Sequence, residues 1–482
     1  MKKALLFLFI VLLAGIAYIV ATTYSQPQWQ KLYIAENSIE AGEYPQAVEH
    51  MSTALTHPTI SHAVEMLDTA AFDGLLKHMR ATYPNTYANV VDTFGTHSLL
   101  IYIEGSDPQL MPALFMGHMD VVPAPSPHEW IVPPFEGKIV NDSLYGRGTL
   151  DDKLGVFGLL EAAERLSSEK PKRSHYFVFG QDEEIGGTLG AKAISKYFFD
   201  KGVEFEFVMD EGGVLGNDLI PGIEGNVALI GIAEKGYLSV NLSTRYPGGH
   251  SSMPELENSI TIIADAITAL QANPLPAEFS QPISGFMAHL GPELPFTQRM
   301  AFAHPGIFKS IIEGVYNESA SGRSLIHTTM APTIMRGGIK DNIIPSQAQA
   351  TLNFRILPGV TKEDLVAYVE QTINDPRITI STEDDFELSE GVSDYNHHSF
   401  VEIGRAITET YPGTLITPYL TVGATDGRHF HKVSDNVFRF LPVPLGATDV
   451  KRLHGRNERI WTQDIVHACQ CYERIIRRTC YE

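Results

Sequence analysis

The chain has 482 residues, of which 44% are hydrophobic and 19% are charged, a globular composition long enough for two domains. Its 36 basic and 57 acidic residues give a formal net charge of -21. This excess of negative charge opposes contact with phosphate backbones and anionic lipid surfaces, so nucleic acid is not expected as a partner.

The N-terminus carries an export signal. Two lysines precede the apolar stretch Ala4–Ala21, and polar residues follow it. The pattern predicts that residues 1–25 form a signal peptide or an N-terminal membrane anchor. Because Ile19 and Val20 precede the final alanine, no small-x-small cleavage site is evident, which favours the anchor. The basic end should stay in the cytoplasm, so we expect an extracytoplasmic protein that is anchored by this segment, or secreted or periplasmic after cleavage.

Helices and strands then follow in an order typical of α/β proteins. The segment from Gln28 to about His62 has a helical pattern interrupted at 41–45, and a second helix is predicted from Ala71 to Tyr83. From Ser98 to about Ala233, short strands alternate with helices, the clearest of which runs from about Lys153 to Leu166. This alternation predicts α/β architecture.

Three short apolar runs in this region each end in residues that can bind a metal. They are Leu114–Met116 before Gly117-His118-Met119-Asp120, Tyr176–Phe179 before Asp182-Glu183-Glu184, and Phe205–Met209 before Asp210-Glu211. Such runs are typical of buried parallel strands, whose carboxyl ends gather ligands at one edge of the sheet. Clustered carboxylates there would repel one another without a cation between them. The pattern therefore predicts a metal site.

His118 and Asp120 stand two residues apart in an extended exit from a strand. Their side chains should point to the same side, which lets the carboxylate orient the imidazole. A His-x-Asp pair is short, however, and by itself it is far more often a surface or core hydrogen-bonded pair without catalytic function.

Two further acidic pairs have separate explanations. Asp151 and Asp152 lead into the helix from Lys153, so one of them is expected to be its N-cap, which leaves the other unexplained. Adjacent buried carboxylates such as Glu183-Glu184 are costly unless one binds a cation and the other exchanges a proton. For Asp210-Glu211, a solvated turn is the alternative.

After Lys235-Gly236 the pattern changes. Residues Tyr237–Ser243 and Ala348–Ile356 alternate as half-exposed strands do, and Ser259–Ala272 is an amphipathic helix. They predict a second, smaller α+β domain inserted into the first. The strand predicted at Val437–Leu441 would rejoin the first sheet.

The three cysteines, Cys469, Cys471 and Cys480, all lie near the C-terminus. An oxidising compartment could pair two of them. Their spacing does not match a zinc ribbon, and packing on or beside a final helix is the simpler expectation.

Six motifs together resemble one known family. They are GHMD, GRGTLDDK, DEEIGG, MDEGG, GGHSSMP and RLHGRNE. The set resembles the dinuclear zinc exopeptidase and aminoacylase family over roughly residues 45–478, and 331–345 resembles its carboxypeptidase S branch. The resemblance implies a mostly parallel, zinc-exopeptidase-like sheet flanked by helices. Residues 28–235 and 387–482 would form this split catalytic domain, and 236–386 an inserted lid domain through which homodimers could form.

The resemblance also implies a site with two zinc ions per subunit, for which cobalt or manganese could substitute. The implied metal ligands are His118, Asp151, Glu184, Asp210 and His454, with Asp151 bridging the ions and joined to Asp152 by a cis peptide bond. Asp120 would orient His118, and Glu183 would be the general base. His250 would stabilise the oxyanion, from its own or a partner subunit. Hinges are then expected near Lys235-Gly236 and around residue 386.

The implied activity is hydrolysis of an amide bond next to a free carboxylate, as a carboxypeptidase on dipeptides or short peptides of the Gly-X type. An N-acyl amino acid deacylase, including one for N-fatty-acyl substrates, is the alternative, mildly favoured by the aromatic residues Phe286, Phe296 and Phe302. A remote alternative is a non-catalytic extracytoplasmic binding protein. The partner in either enzymatic case is a small-molecule substrate.

Arginine pairs with both oxygens of a carboxylate, so it is the expected reader of the substrate's free carboxyl group. The candidates are Arg428 and Arg355, with Asn342 as a polar helper. Arg428 is favoured, although pairing with a neighbouring aspartate would explain it equally well.

Overall fold

The computed structural model describes residues 1–63, 66–382 and 391–482. The described helices are α1 (Lys2–Tyr24), α2 (Ala47–Ala54), α3 (Thr69–Thr82), α4 (Pro84–Tyr87), α5 (Lys153–Leu166), α6 (Ala191–Lys201), α7 (Ser259–Ala272), α8 (Gln281–Leu290), α9 (Phe296–Ala303), α10 (Pro305–Asn317), α11 (Ala320–Ile326), α12 (Lys362–Ile373), α13 (His398–Thr410) and α14 (Thr462–Ile476). The described strands are β1 (Val90–Phe94), β2 (Ser98–Ile103), β3 (Ala113–His118), β4 (Ile139–Val140), β5 (Ser143–Tyr145), β6 (His175–Gly180), β7 (Phe207–Asp210), β8 (Leu215–Asn217), β9 (Asn226–Glu234), β10 (Gly236–Arg245), β11 (Gly249–His250), β12 (Thr329–Gly337), β13 (Ile343–Ile344), β14 (Gln347–Ile356), β15 (Ile378–Thr382), β16 (Leu415–Thr421), β17 (Val437–Arg439), β18 (Pro444–Leu445) and β19 (Arg459–Trp461).

The N-terminal segment differs from the prediction after its first helix. The apolar stretch forms α1, which is long and apolar enough to span a membrane by length and composition. The helix predicted from residue 28 is wrong up to α2, since only a short 3-10 turn at Trp29–Tyr33 forms. The N–H groups of Ile39 and Gly42 instead donate to the carboxylates of Glu409 and Glu473, at 3.0 and 2.7 Å. Bonds to α13 and α14 therefore replace those of a local helix.

The larger sheet has the strand order β1-β2-β6-β3-β7-β17-β9-β8-β18, with β16 beside β9. Its centre is parallel, since β3 runs parallel to β6 and β7, and β17 runs parallel to β7. The predicted α/β class is confirmed, and so is the return of the late strand to the first sheet. All three apolar runs with acidic ends lie in this parallel centre, so their carboxyl ends meet at one edge.

The sheet is buried because its central strands are apolar on both faces. Phe115, Phe177 and Phe207 come from three neighbouring strands and pack in one cluster. Helix α5 begins and ends where the sequence predicts, and α14 packs against it. A sheet that is covered on both faces requires strands that are apolar throughout, without alternating polar residues.

A second sheet, with the order β12-β14-β10-β15, has its own core. β10 and β14 pair antiparallel over ten positions, and Leu238, Val240 and Phe354 pack against α7 and α12 residues such as Ile263 and Leu365. β9 ends at residue 234 and β10 begins at 236, so a single residue joins the two sheets on this side. The second predicted hinge and the boundary at 386/387 lie outside the described residues.

Helices α8 to α11, although they fall between the strands of the second sheet in sequence, pack against β9 and β16 of the first. Phe286 is buried beside Val227 and Leu229 of β9, and Phe302 packs partly against the same cluster. Phe296 stacks on Tyr24 of α1. These aromatic residues therefore pack between helices and strands. Their presence no longer favours a substrate with an apolar acyl group.

The three cysteines are free and buried. Cys469 and Cys471 lie in α14, and Cys480 lies in the π-helical turn Arg477–Tyr481 that follows it. The expectation that they pack on or beside the final helix is confirmed.

Candidate metal centre

His118 is the last residue of β3, and its side chain is almost completely buried. Its Nδ1 lies 3.0 Å from the carbonyl oxygen of Asp120 and 3.3 Å from the Asp120 carboxylate. Its Nε2 lies 2.9 Å from Oδ1 of Asp151. One ring nitrogen is thus held by the next turn of chain, which aims the other at the second carboxylate.

The two aspartates before α5 have different partners, and the peptide bond between them is cis. Asp152 is the N-cap, since its carboxylate accepts hydrogen bonds from the N–H groups of Gly155 and His118, at 3.1 and 3.3 Å. Asp151 turns toward the two imidazoles, at 2.9 Å from His118 and 3.0 Å from His454. The N-cap explanation therefore accounts for Asp152 alone.

A buried carboxylate holds the loop that leads to Asp151. Glu458 accepts hydrogen bonds from the N–H groups of Gly148 and Leu150, at 3.1 and 2.7 Å, and it pairs with the buried guanidinium of Arg147. Because both charges are out of water, each depends on the other for compensation. The loop has little freedom to move Asp151 away from the site.

The two glutamates after β6 lie in the 3-10 turn Glu183–Ile185. The carboxylate of Asp120 accepts from the N–H groups of Glu183 and Glu184, at 3.1 and 3.2 Å. Glu184 itself accepts from the N–H of Val122 at 3.1 Å. Asp120 therefore ties the strand ends of β3 and β6 together as well as contacting His118.

Four side chains converge at this edge. One ligand atom from each of His118, Asp151 and Glu184 lies within 4.8 Å of the others. Nε2 of His454 lies 3.0 Å from Asp151 and 3.4 Å from Glu184. The backbone of His454 has φ of +56°, a left-handed conformation that is uncommon for this residue and is often found at functional sites.

The electrostatics of the cluster favour a cation. Burial lowers the pKa of His118, but hydrogen bonds to Asp120 and Asp151 raise it more, and the net pKa lies well above its usual value. Hydrogen bonds to Asp151 and Glu184 raise the pKa of His454 to about 10. The carboxylates thus stabilise positive charge on both rings. Metal ligands release such protons on binding, so this set of nitrogen and oxygen atoms fits a divalent ion such as zinc.

Asp210 stands apart from these four side chains. It ends β7 and is buried, and its Oδ2 accepts a hydrogen bond of 2.6 Å from the N–H of Gly427. It does not join the three-residue group formed by described residues within 4.8 Å. The solvated-turn alternative for Asp210 is wrong, because the side chain is buried. Its role as a ligand stays a prediction.

Glu183 and Arg428 face each other beside the cluster. Nη1 of Arg428 lies 3.7 Å from Oε1 of Glu183 and donates to the carbonyl oxygen of Thr425 at 2.6 Å. Burial raises the pKa of Glu183 well above its usual value, and the nearby Asp426 raises it further. A carboxylate with a raised pKa beside a metal-binding cluster is typical of a residue that exchanges a proton.

The other predicted site residues lie in or near the second sheet and the β11–β13 pair. His250 lies in β11 and Asn342 directly precedes β13; both are exposed, and the N–H of Ser251 donates to the carbonyl oxygen of Asn342 at 3.3 Å. The Arg355 guanidinium lies over the Tyr237 ring, 4.9 Å from its centroid. Among the residues described here, no hydrogen bond or ion pair joins His250, Asn342 or Arg355 to the cluster.

Two buried acidic residues of the site had no role in the predictions. Glu458 lies in the quoted motif RLHGRNE, but only the fold shows that it holds the 147–150 loop. Asp426 is buried, and its Oδ1 has no hydrogen-bond partner among the described residues. A Cβ on Gly187 would lie 2.1 Å from that oxygen, so a residue without a side chain is required there. Their proximity comes from distant segments that no local pattern reveals.

Solved structures share this fold. An M20 family metallo-carboxypeptidase from Sulfolobus solfataricus aligns over 90% of this chain and 99% of its own length, with a TM-score of 0.65 and 18% identity. Human carnosine dipeptidase 1 aligns over 90% and 95%, with a TM-score of 0.60 and 14% identity. At these levels of identity, the alignments establish a shared fold.

The family follows from sequence. The sequence model of the family described as "Peptidase family M20/M25/M40" matches residues 114–478. The chain belongs to this family. It is 35% identical over 477 residues to a Xenopus tropicalis protein named N-fatty-acyl-amino acid synthase/hydrolase PM20D1, covering 96% of this chain and 92% of that one. It is 36% identical over 406 residues to a Dictyostelium discoideum protein named probable carboxypeptidase S-like 2, covering 83% and 78%. The predicted resemblance is confirmed, and the chain is a metal-dependent peptidase or amidohydrolase.

The substitution Glu458→Gln should destabilise the protein strongly. It leaves the buried Arg147 without its counter-charge, and breaking a buried pair in this way costs about 3–5 kcal/mol of unfolding free energy. Denaturant unfolding measures the change. Glu104→Gln is the matched control, since it breaks an exposed pair with Lys170 and should cost less than about 1 kcal/mol. Equal effects of the two substitutions would contradict the buried role of Glu458.

Proposed function

We propose that the chain is a two-zinc hydrolase that cleaves the amide bond next to a free carboxylate, as a carboxypeptidase on dipeptides or short peptides. The observation that carries this proposal is the convergence of His118, Asp151, Glu184 and His454 beside the Glu183–Arg428 pair. Zinc bound there would lower the pKa of a water molecule and polarise the amide carbonyl. Cobalt or manganese could replace it.

The chain's own residues then have separate tasks. Glu183 takes a proton from the attacking water at its carboxylate and delivers it to the nitrogen of the leaving amine. Asp120 holds His118 in the orientation that points Nε2 toward Asp151 and the cluster. Asp151 lies between the two imidazoles, a position suited to bridging two ions, and buried Asp210 would complete the second ion's ligands.

An N-acyl amino acid deacylase, including one for N-fatty-acyl substrates, is the second candidate. It is favoured by the 35% identity, over nearly the whole chain, to a protein named for N-fatty-acyl amino acids. The bond cleaved and the residues used are the same in both cases, and only the group on the acyl side of the amide differs.

Three further proposals concern parts of the chain outside the metal-binding cluster. Helix α1 anchors the chain in a membrane with the enzyme on the extracytoplasmic side, unless it is cleaved to release a secreted or periplasmic form. Strand β12 is an edge strand of the second sheet, with Ile334 and Met335 exposed, and it offers a surface for homodimers. A dimer or lid closure would bring His250 to a site where it could stabilise the oxyanion.

A pair of substrates distinguishes the two candidate activities. A glycyl dipeptide and a long-chain N-acyl amino acid should share the same C-terminal residue, so that only the acyl side differs. We expect the dipeptide to be hydrolysed with a larger kcat/KM than the N-acyl amino acid. A chelator should abolish this hydrolysis, and added zinc should restore it. Preference for the N-acyl substrate would assign the second candidate. Hydrolysis that survives complete zinc removal would overturn both.

The neighbouring glutamates should respond differently to the same substitution. Glu183→Gln should lower kcat by about 10²–10⁴-fold with zinc content unchanged, because only the proton acceptor is lost. Glu184→Gln should lose bound zinc as well as activity, because a ligand is lost. Zinc analysis by mass spectrometry and initial rates measure both. Near-normal turnover of Glu183→Gln would show that the proton is carried by another group.

Arg428→Ala should lower kcat/KM for substrates with a free carboxylate by about ten- to hundred-fold, mainly through KM, since a charged hydrogen bond contributes about 1.5–3 kcal/mol. The same substrate with its carboxyl group amidated is the control, and the variant should hydrolyse it as the wild type does. An equal loss on both substrates would mean that Arg428 acts through Glu183, 3.7 Å away, and not on the carboxylate.

A further inference from the structure

Most of α1 stands clear of the protein body. Its apolar side chains from Leu5 to Leu13 and Ile16 are exposed, whereas those of Ile19, Val20, Thr22 and Thr23 are partly or fully buried. The exposed part is too apolar to face water over such a length. The point where α1 meets the protein therefore marks where the membrane and the protein body come together, if α1 is retained.

That meeting point is made by α9 and the residue after it. His304 Nε2 lies 3.1 Å from the carbonyl oxygen of Ile19 and 3.2 Å from the hydroxyl oxygens of Thr22 and Thr23. Arg299 donates from Nε to the carbonyl oxygen of Thr23 at 3.1 Å. Tyr24 stacks on Phe296, with ring centroids 5.6 Å apart. These bonds fix the direction of α1 relative to the helices beside it.

Helix α10 begins directly after this contact and is apolar on two faces. Its inner face places Ile312 in a buried cluster, with Phe308 and Tyr316 packed against it. Its outer face carries Ile311 and Val315, one turn apart and 61% and 60% exposed, and Ile307, which is 63% exposed, lies directly before a kink at Phe308. We call these three residues the α10 ridge. A helix with apolar residues on both faces is expected in a buried or membrane-facing position, not in water.

The contact between His304 and α1 places the start of α10 beside the end of the apolar stretch. His304 is the N-cap of α10, and it contacts α1 at Ile19, inside the apolar stretch that continues to Ala21. A bilayer that covers this stretch therefore reaches the level at which α10 begins. The overall charge of -21 provides no attraction to anionic headgroups, so apolar insertion is the favourable contact available.

We propose that the α10 ridge inserts into the outer acyl layer of the bilayer that α1 spans. The proposal rests on the retention of α1 as an anchor. One spanning helix alone leaves an enzyme free to tilt, whereas a second contact beside it fixes which side of the protein faces the lipid. The ridge belongs to the helices packed on β9 and β16, so the orientation of the whole catalytic sheet would be set.

Single cysteines with a bimane label test this in the full chain. The three native cysteines are buried and should label poorly. Three exposed isoleucines are replaced in turn: Ile311→Cys on the ridge, Ile10→Cys in α1 and Ile339→Cys in the smaller domain, with 61%, 55% and 93% exposure in the wild type. The protein is reconstituted in phosphatidylcholine vesicles containing nitroxide-labelled phosphatidylcholine. Unsubstituted protein provides the labelling background.

The emission of the label at position 311 should shift to shorter wavelength. It should be quenched most by nitroxides near the headgroup end of the acyl chain. Position 10 lies nine residues below the His304 contact, about 14 Å along the helix, and should be quenched most by nitroxides near the bilayer centre. Position 339 should keep its emission. An unquenched label at 311 beside a quenched one at 10 would overturn the ridge proposal alone. Loss of quenching at both would overturn the anchor as well, and quenching at all three would show general adsorption and overturn the specific contact.

Discussion

The collection of acidic side chains at one dry edge of the sheet is the constraint on which the rest of the structure depends. Asp120, Asp151 and Glu184 are drawn together by the parallel strands and by the loop before α5. Such charges repel one another and lose their hydration when buried. Two imidazoles, from His118 and His454, meet the same carboxylates and provide the positive charge that a metal ion would replace.

The surrounding polypeptide satisfies each carboxylate separately. Asp120 accepts from two backbone N–H groups of the turn after β6, and Asp152 caps α5 while accepting from the backbone of His118. Glu458 accepts from the N–H groups of Gly148 and Leu150 in the 147–150 loop. Fixed backbone donors position charges without the freedom of long side chains, so the ligand atoms are placed before any ion arrives.

The residues inserted between β10 and β15 serve two different structures. One part builds the separate sheet that carries Arg355, and the β11–β13 ribbon carries His250, with Asn342 directly before β13. The other part, α8 to α11, packs on β9 and β16 of the first sheet, and α9 contacts α1. Lys235 alone joins β9 to β10, and its Nζ donates to the carbonyl oxygens of Ser324 and His327, at 2.9 and 2.7 Å. If the second sheet moves relative to the first, the backbone therefore has to bend beside Lys235, whose side chain is held by these hydrogen bonds.

The sequence by itself determined the strands that end in acidic residues, the bounds of α5 and α7, and the family, because these depend on local periodicity and on contiguous motifs. It left open which aspartate caps α5, and it predicted a helix after residue 28 where backbone N–H groups instead bond to Glu409 and Glu473. Only the tertiary structure decided these points, and only it brought Glu458 to the 147–150 loop and placed α8 to α11 on the larger sheet. Each depends on a contact between segments far apart in the chain, and local patterns contain no information about which distant group will fill a backbone hydrogen bond or compensate a buried charge.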